Sequence, residues 1–286
     1  MANILVTGRR GQLGSEIRDL ALDYDDHHFI FTSSDELDIC NREELSDFFS
    51  KYDIDIIINC TAYTAVDKAE EEYDKALLIN QKAIRNLVKC VQQQNLLLFH
   101  ISTDYVFDGQ YFRPYQEDHI TNPLSKYGTS KLKGEQEIMD ANIRALIIRT
   151  SWLYSTFGNN FVKTMLRLGQ EKDEIKVIFD QVGTPTYAHD LARTLLDIID
   201  SHKKIKTSEI YHYSNEGVTS WYDFALEILE YAKLECKVIP IRTEEFPLPA
   251  KRPFYSILDK SKIKRDFAIE IPNWKHSLHR CLRQLI

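Results

Sequence analysis

A tyrosine and a lysine lie four positions apart in residues 123–135, which read PLSKYGTSKLKGE. An Asn-Pro step interrupts the chain just before this segment and Ser125 can cap a helix, so Tyr127 and Lys131 are predicted on one helical face. An ammonium beside a phenol stabilises the phenolate and moves the phenol pKa towards neutrality, where a general acid works best. The pair is a candidate proton donor, although an isolated YxxxK pattern more often marks an exposed pair of helix residues.

A second reactive group is predicted at the end of a strand. Residues 96–101 are mostly apolar and lead into Ser102-Thr103, which is the pattern of a buried parallel strand. In open α/β sheets, ligands bind at the carboxyl ends of the strands. Thr103 can there hold a carbonyl oxygen while Tyr127 protonates the alkoxide that forms when a ketone accepts a hydride.

Hydride transfer needs a cofactor, and the beginning of the chain predicts a site for one. A short apolar strand over residues 3–7 leads into the loop GRRGQLG and then into a helical pattern. Gly8 permits a tight turn, Gly11 lets the backbone approach a diphosphate at the helix N-terminus, and Gly14 allows the helix to pack closely on the strand. This GxxGxxG spacing is the variant found in short-chain dehydrogenases, and it predicts dinucleotide binding.

The second strand bears on which dinucleotide binds. Residues 28–32 are predicted to form this strand, and Ser33-Ser34 follows without the acidic residue that would take the adenosine 2′-hydroxyl of NAD. Arg9 and Arg10 are close enough in sequence to meet a 2′-phosphate instead. The pattern therefore favours NADPH, with NADH as the other donor that fits. Asp38 and Ile39 are candidates for contact with the adenine edge.

The order of the elements predicts the fold class. Strand and helix patterns alternate through residue 149, which indicates an α/β protein with a doubly wound parallel Rossmann sheet. We assign residues 1–150 to this dinucleotide-binding domain, with returns of the chain to it near 186–216. Residues 151–185 and 217–286 are assigned to a smaller C-terminal α/β lobe that covers the substrate, because clefts between such lobes are common ligand sites.

Composition excludes several classes of protein. A formal charge of −7 over 286 residues does not suit a nucleic-acid or acidic-membrane surface. Five scattered cysteines without a CxxC pair indicate reduced thiols, neither a disulfide framework nor a zinc site. No apolar run reaches the length of a membrane span and no leader pattern precedes the first strand, so we expect a cytoplasmic protein.

Several longer segments are similar to one known family. These segments are the glycine loop, NCTAYTAVDKAE at 59–70, STDYVFDG at 102–109, PLSKYGTSKLKGE at 123–135, RTSWLY at 149–154, NNFVKTMLRL at 159–168, DQVGTPTYAHDLA at 180–192 and RPFYSILD at 252–259. In this order they resemble the dTDP-4-dehydrorhamnose reductases, which are extended short-chain dehydrogenases/reductases. The resemblance implies reduction of the 4-keto group of dTDP-4-dehydro-β-L-rhamnose to dTDP-L-rhamnose by NADPH or NADH, for polysaccharide synthesis.

The resemblance also implies roles for individual residues. Tyr127 corresponds to the catalytic acid, Lys131 to its partner and ribose ligand, and Thr103 to the hydroxyl that polarises the carbonyl. The implied cofactor contacts, together with those argued above, are Gly8, Arg9, Arg10, Gly11, Gln12, Leu13, Gly14, Asp38, Ile39, Ala62, Tyr63, Tyr105, Tyr127 and Lys131. The implied substrate contacts are Val66, Thr103, Asp104, Trp152 and Arg252. Some family members form a homodimer around magnesium, but only Glu16 matches its ligands, so no metal is predicted and a homodimer is left open.

Two other functions fit the same motifs. A nucleotide-sugar epimerase or dehydratase uses the same Tyr/Lys pair with tightly held NAD and returns the hydride to its substrate, so it consumes no added cofactor. A non-catalytic NADP-binding regulatory subunit needs the loop but not the pair. Retention of Thr103, Tyr127 and Lys131 together favours the reductase over the regulatory subunit.

Overall fold

The structure, a computed structural model, describes residues 1–199 and 205–286. Its strands are β1 (Asn3–Thr7), β2 (His28–Thr32), β3 (Ile56–Asn59), β4 (Leu97–Thr103), β5 (Arg144–Thr150), β6 (Leu153–Tyr154), β7 (Glu174–Ile178), β8 (Val182–Gly183), β9 (Thr186–Tyr187), β10 (Ser208–His212), β11 (Thr219–Ser220) and β12 (Lys237–Ile241). Its α-helices are α1 (Gln12–Leu20), α2 (Arg42–Lys51), α3 (Tyr73–Leu77), α4 (Ala83–Gln94), α5 (Lys126–Met139), α6 (Phe161–Glu171), α7 (Ala188–Ile199), α8 (Trp221–Tyr231), α9 (Ser261–Phe267) and α10 (Trp274–Leu285).

Six strands form one parallel sheet in the order β10-β5-β4-β3-β1-β2. The chain runs outwards from β1 to β2 and then returns past β1 to build the rest of the sheet. The crevice therefore opens between the carboxyl ends of β1 and β3, because the strand order reverses there. The predicted doubly wound α/β fold is confirmed.

Helices cover both faces of this sheet because its strands are apolar on both sides. Ile4 and Val6 of β1 point to the face covered by α1 and α7, whereas Leu5 points to the face covered by α2, α4 and α5. Side chains on successive strand residues point to opposite faces, so a single strand supplies both cores. The continuous apolar runs in the sequence are explained by this double burial.

A separate apolar core lies in the C-terminal part of the chain. Helices α6, α8 and α10 pack there around the strand pair β7 and β12, and Met165, Val177, Phe224 and Leu278 are among its buried residues. Ile263 and neighbouring apolar residues of α9 join the first core instead, beside β10. The structure thus places this short stretch of the predicted lobe against the sheet. The division into domains otherwise remains a prediction.

Two elements could not be recognised from the sequence pattern. A π-helical segment, Leu78–Lys82, lies between α3 and α4. Helix α9 was not predicted, because its seven residues carry too short an apolar pattern to recognise. π-Helical segments are often found at functional sites, and this one supports the site described below.

Within the described ranges, no helix has both the length and the apolarity needed to cross a bilayer. The same ranges contain no group of three His, Cys, Asp or Glu residues arranged to hold a metal ion.

Helix α5 packs against the π-helical segment through a glycine, which yields a prediction about stability. A Cβ atom at Gly134 would lie 2.2 Å from the carbonyl oxygen of Asn80. We expect Gly134→Ala to lower the free energy of unfolding by about 1–3 kcal/mol, the usual effect of an overpacked core. The higher helix propensity of alanine, about 1 kcal/mol, offsets only part of this loss.

Urea unfolding measures the effect, with Gln136→Ala, an exposed change on the same helix, as the control. A Gly134→Ala protein as stable as the parent would show that the two segments do not need this close approach.

Candidate active site

A cavity of about 550 Å³ lies at the carboxyl edge of the sheet. Many residues proposed from the sequence line it, and these are Gly11, Gln12, Leu13, Ala62, Val66, Thr103, Asp104, Tyr105, Tyr127, Lys131 and Trp152. The lining also includes Cys60, Thr64, Ile101, Ser102, Thr150, Ser151, Leu153, Gly158, Asn159 and Trp221. The cavity therefore joins the glycine loop to the Tyr/Lys helix, as a hydride-transfer site requires.

Helix α5 brings Tyr127 to the end of β4. Ser125 caps this helix and its Oγ accepts a hydrogen bond from the Gly128 amide at 3.1 Å. A Cβ atom at Gly128 would lie 2.3 Å from the carbonyl oxygen of Tyr105, so glycine is needed where the helix meets the turn after β4. This close contact places Tyr127 beside Thr103, and a hydrogen bond links their side chains. The predicted helix cap and the predicted pairing with Thr103 are both present.

Asn80 fixes the loop after β3 against helix α5. Its side-chain oxygen accepts from the Tyr63 amide at 2.9 Å, and its Nδ2 donates to the Tyr63 carbonyl at 3.0 Å and to Ser130 Oγ at 2.9 Å. The loop after β3 is thereby tied to α5 through one buried amide. Asn80 lies in the π-helical segment and was not predicted, because no short motif marks it.

Lys131 is almost fully buried, at 2 % exposure. Its ammonium donates to the Ile101 carbonyl at 2.6 Å and lies 3.3 Å from His100 Nε2. Burial lowers the pKa of Lys131 to about 8, and the nearby Glu135 carboxylate raises it only in part. This lysine can therefore change charge within the range where many enzymes work.

The pKa of Tyr127 differs from the sequence prediction. Burial raises it to about 12, the hydrogen bond with Thr103 lowers it, and the Asp104 charge raises it again. The prediction that Lys131 lowers this pKa is wrong for the observed arrangement, since the Lys131 ammonium is directed to the Ile101 carbonyl. Tyr127 remains protonated through the neutral range and can still give a proton to a strongly basic alkoxide.

Asp104 is a buried carboxylic acid in the cavity wall. Its Oδ1 accepts from Thr103 Oγ1 at 3.1 Å, and its Oδ2 is buried with no hydrogen-bond partner among the described residues. Burial raises its pKa to about 7, whereas hydrogen bonds from Ser256, Thr103 and the backbone lower it. An unpaired buried oxygen is unfavourable unless a polar group of a ligand meets it.

The glycine loop has the geometry that a diphosphate requires. Gly8 has a φ of +74°, and a Cβ atom at Gly14 would lie 2.3 Å from the Gly8 carbonyl oxygen, so both positions need glycine. Gly11 lines the cavity directly before α1, and no side chain caps this helix. Its free amide end faces the space where an anion would bind. The loop therefore fits a dinucleotide.

The arginines of the loop are paired with acidic residues. Arg9 Nη2 lies 2.6 Å from Glu36 Oε1, and Arg10 pairs with Asp35 nearer to solvent. Glu36 Oε2 accepts from both the amide and the hydroxyl of Ser33 at 2.8 Å. No acidic residue directly follows β2 in the sequence, but a turn brings the Glu36 carboxylate back to Ser33 at the end of this strand.

Other proposed cofactor residues lie outside the cavity wall. Ile39 is buried in the core on the α2 side, and Asp38 accepts a hydrogen bond from the Cys40 amide at 2.9 Å. The Tyr63 hydroxyl donates to Glu72 at 3.1 Å, and its ring packs near Tyr127. These three residues support the loops around the cavity, and their predicted contact with a cofactor remains a prediction.

Two stacked tryptophans line another part of the cavity. Trp152 has a φ of +47°, an uncommon conformation for a bulky residue, and its ring stacks on Trp221 with centroids 3.6 Å apart. A Cβ atom at Gly183 would lie 2.8 Å from the Trp152 ring, so this glycine makes room for the stack. Trp221 begins α8 and was not among the residues proposed from the sequence, because nothing in its local sequence shows that it meets Trp152.

Arg252 is held at the edge of the cavity by Asp67. The two side chains make a bidentate pair, with Nη1 to Oδ1 at 3.0 Å and Nη2 to Oδ2 at 2.7 Å. Arg252 lines a neighbouring, largely apolar groove between α6, β7 and β12, and Trp221 belongs to both spaces. The predicted substrate residues Trp152 and Arg252 thus line two neighbouring spaces that share Trp221.

Comparison with known proteins agrees with this geometry. The family described as "RmlD substrate binding domain" matches residues 1–286. A dTDP-4-dehydrorhamnose reductase from Aggregatibacter actinomycetemcomitans is 39 % identical, with 97 % of each chain covered. A solved dTDP-4-dehydrorhamnose reductase from Clostridium acetobutylicum is 43 % identical with a TM-score of 0.93, and one from Bacillus anthracis in complex with NADP is 38 % identical with a TM-score of 0.94. Each of these structures covers 99 % of both chains.

The buried Asp104 leads to a prediction about pH and stability. Its pKa is about 7 in the folded chain against 3.8 for the free side chain, so the folded state binds the extra proton between about pH 4 and pH 7. The Asp104 contribution to the free energy of unfolding must therefore fall as the pH rises through this window, by up to about 4 kcal/mol.

Asp104→Asn removes this titration. Urea unfolding between pH 4 and pH 8 should show the stability of the variant rising relative to the parent as the pH increases. A stability difference that does not change with pH would mean that Asp104 is ionised in the folded protein throughout.

Proposed function

The chain belongs to the RmlD substrate-binding-domain family, and from this membership we propose that it reduces the 4-keto group of dTDP-4-dehydro-β-L-rhamnose to give dTDP-L-rhamnose, with NADPH as the hydride donor. This is the last step of dTDP-rhamnose synthesis. The observation that carries the proposal is the meeting of Thr103, Tyr127 and Lys131 in one cavity with the glycine loop.

The proposed roles follow from the positions of the side chains. Thr103 hydrogen-bonds the ketone oxygen and keeps it next to Tyr127. NADPH, when bound, supplies the hydride to the carbonyl carbon. Tyr127 then gives its phenolic proton to the oxygen of the resulting alkoxide, so the ketone becomes a secondary alcohol and Tyr127 becomes a phenolate that regains a proton from solvent. Lys131 holds positive charge near that phenolate.

The proposed cofactor position follows from the loop and the edge of the sheet. The diphosphate lies at the start of α1 against Gly11, Gln12 and Leu13, and the nicotinamide end lies towards Tyr127 and Lys131. Gln12 also joins the two parts of the protein, since its Oε1 accepts from Asn160 Nδ2 at 2.9 Å. Binding of the diphosphate is thereby coupled to the segment that leads into α6.

The substrate is proposed to extend from the cavity into the neighbouring groove. The sugar lies between Thr103, Val66 and Trp152, where an aromatic face can pack on the apolar side of a deoxysugar. The diphosphate of the nucleotide points towards Arg252, whose guanidinium is already fixed by Asp67. The apolar groove beyond Arg252 is the proposed place for the base.

Two broader expectations accompany this proposal. We infer a cytoplasmic location, which the five free cysteines favour. The homodimer left open by the family resemblance also remains a proposal.

A coupled assay tests the function. Cofactor oxidation at 340 nm is followed with NADPH and with NADH while the upstream enzymes supply dTDP-4-dehydrorhamnose, and the sugar product is identified. We expect stoichiometric oxidation coupled to formation of dTDP-L-rhamnose.

Tyr127→Phe should lower kcat by about 10²–10⁴-fold, the usual contribution of a positioned general acid, with little change in cofactor affinity.

The same assay separates the alternatives. A product formed without net oxidation would indicate an epimerase or dehydratase. Cofactor binding without turnover of any nucleotide sugar would favour the regulatory subunit. A Tyr127→Phe enzyme with most of its activity would remove Tyr127 from the proposed mechanism.

The pairing of Arg9 with Glu36 yields a prediction about cofactor choice. The adenosine 2′ position lies at the end of the second strand in folds of this class, which is where these two side chains meet. Glu36→Gln removes a negative charge next to a 2′-phosphate and frees the Arg9 guanidinium. We expect the preference for NADP⁺ over NAD⁺ in equilibrium binding to increase by about tenfold.

Calorimetric titration with both nucleotides measures the preference directly. Asp35→Asn is the matched control, because its partner Arg10 is more exposed and solvent screens its charge. An equal preference in Glu36→Gln and the parent would place the 2′ position elsewhere.

A further inference from the structure

A chain of buried side chains leads from the backbone to Lys131. Asn59 Oδ1 accepts from Thr7 Oγ1 at 2.7 Å and from the Thr61 amide at 3.2 Å. Asn59 Nδ2 lies 3.1 Å from His100 Nδ1, and His100 Nε2 lies 3.3 Å from Lys131 Nζ. Asn59 is 1 % exposed and His100 is fully buried, so solvent does not take part in this chain.

The direction of each hydrogen bond follows from one fixed donor. A backbone N–H can only donate, so the Thr61 amide requires the oxygen of Asn59 on its side. The amide nitrogen of Asn59 then faces His100 and donates to Nδ1. A neutral imidazole that accepts at Nδ1 carries its hydrogen on Nε2. The ring hydrogen of His100 therefore points at Lys131 Nζ.

This direction conflicts with a permanent ammonium at Lys131. An ammonium has three N–H donors and no lone pair, so it would meet the Nε2–H of His100 donor to donor. A neutral amine has a lone pair that accepts this hydrogen and keeps an N–H for the Ile101 carbonyl, 2.6 Å away. The buried chain thus matches the amine better than the ammonium.

We propose that Asn59 and His100 are positioning residues that stabilise the neutral amine of Lys131 and so lower the pH at which Lys131 loses its charge. The part of this inference that concerns turnover rests on the proposed reductase function. In the proposed reaction Lys131 holds positive charge near the Tyr127 phenolate, so activity falls where Lys131 becomes the neutral amine. His100 keeps its own proton throughout.

The charged and titratable groups around Lys131 come from four parts of the chain. Glu135 on α5 favours the ammonium, but Glu135 is itself paired with Arg149 of β5 at 2.7 Å and accepts from Ser102 at 2.5 Å. The remaining groups are Tyr127 on α5, Asp104 after β4, Cys60 after β3 and His100 on β4. His100 is the member of this set within hydrogen-bonding distance of Nζ, and so it is the group through which the charge of Lys131 is adjusted.

The tautomer of His100 tests the inference without substrate or turnover. Long-range ¹H–¹⁵N NMR correlations distinguish Nε2–H from Nδ1–H in each histidine ring, and the signal lost in His100→Gln identifies His100. We expect a neutral Nε2–H ring from about pH 6 to pH 9. A ring with hydrogen on Nδ1, or a protonated ring, would overturn the proposal.

Two substitutions test the effect on Lys131 by different routes. In His100→Gln the side-chain oxygen can accept from the ammonium. In Asn59→Asp the new side chain has nearly the same size as asparagine, and its carboxylate accepts from Thr7, Thr61 and His100 Nδ1. The ring hydrogen of His100 then lies on Nδ1, and the Nε2 lone pair faces Lys131. Both changes stabilise the ammonium, and we expect both to move the basic limb of the kcat–pH profile upwards by about one pH unit.

A purely structural role would lower activity at every pH and leave that limb in place. His276→Gln, an exposed change on α10, is the control that leaves the limb unmoved. Parental limbs in both Asn59→Asp and His100→Gln would overturn the proposal, and Asn59→Asp alone decides if His100→Gln does not fold. If the wild-type protein oxidises neither cofactor, the proposed function fails. The tautomer of His100 still decides the direction of the hydrogen bonds from Asn59 to Lys131.

Discussion

The site depends on how closely helix α5 lies against its neighbours. Gly128 meets the Tyr105 carbonyl and Gly134 meets the Asn80 carbonyl at distances that no side chain allows. These two contacts set the height of the helix above the sheet, and hence the positions of Tyr127 and Lys131 relative to Thr103. A shift of about 1 Å in such a helix is enough to reduce catalysis severely, because reacting groups must be held in near-attack geometry.

Burial is the second constraint, and it acts on several polar groups at once. Lys131, Asp104 and His100 are all almost fully enclosed, and burial moves each of their pKa values in the direction that favours the neutral form. Such groups are costly to bury unless they are hydrogen-bonded. Burial thus brings the pKa values of Lys131 and Asp104 close to neutrality, at about 8 and about 7, and takes the pKa of His100 well below both, so that the imidazole stays neutral.

Local patterns in the sequence predicted the elements that carry the chemistry. The glycine loop, the cap at Ser125 and the i, i+4 spacing of Tyr127 and Lys131 act over a few residues, so one stretch of sequence is enough to recognise them. Contacts between distant residues could not be predicted in this way. Only the fold brings together the residues of three such contacts. These are the Trp152–Trp221 stack, the Asp67–Arg252 ion pair and the hydrogen bond from Asn80 to Ser130. The raised pKa of Tyr127 was missed for the same reason, since burial and the partner of Lys131 are tertiary properties.

The stacked indoles also give the cavity an optical property. Of the three tryptophans in the chain, Trp152 and Trp221 line the cavity and Trp274 is buried in the C-terminal core. Two rings 3.6 Å apart and nearly parallel share their electronic excitation, so their absorption and emission depend on what lies against them. Whatever fills the cavity therefore changes the ultraviolet signature of the protein, and occupancy can be followed from the unlabelled chain.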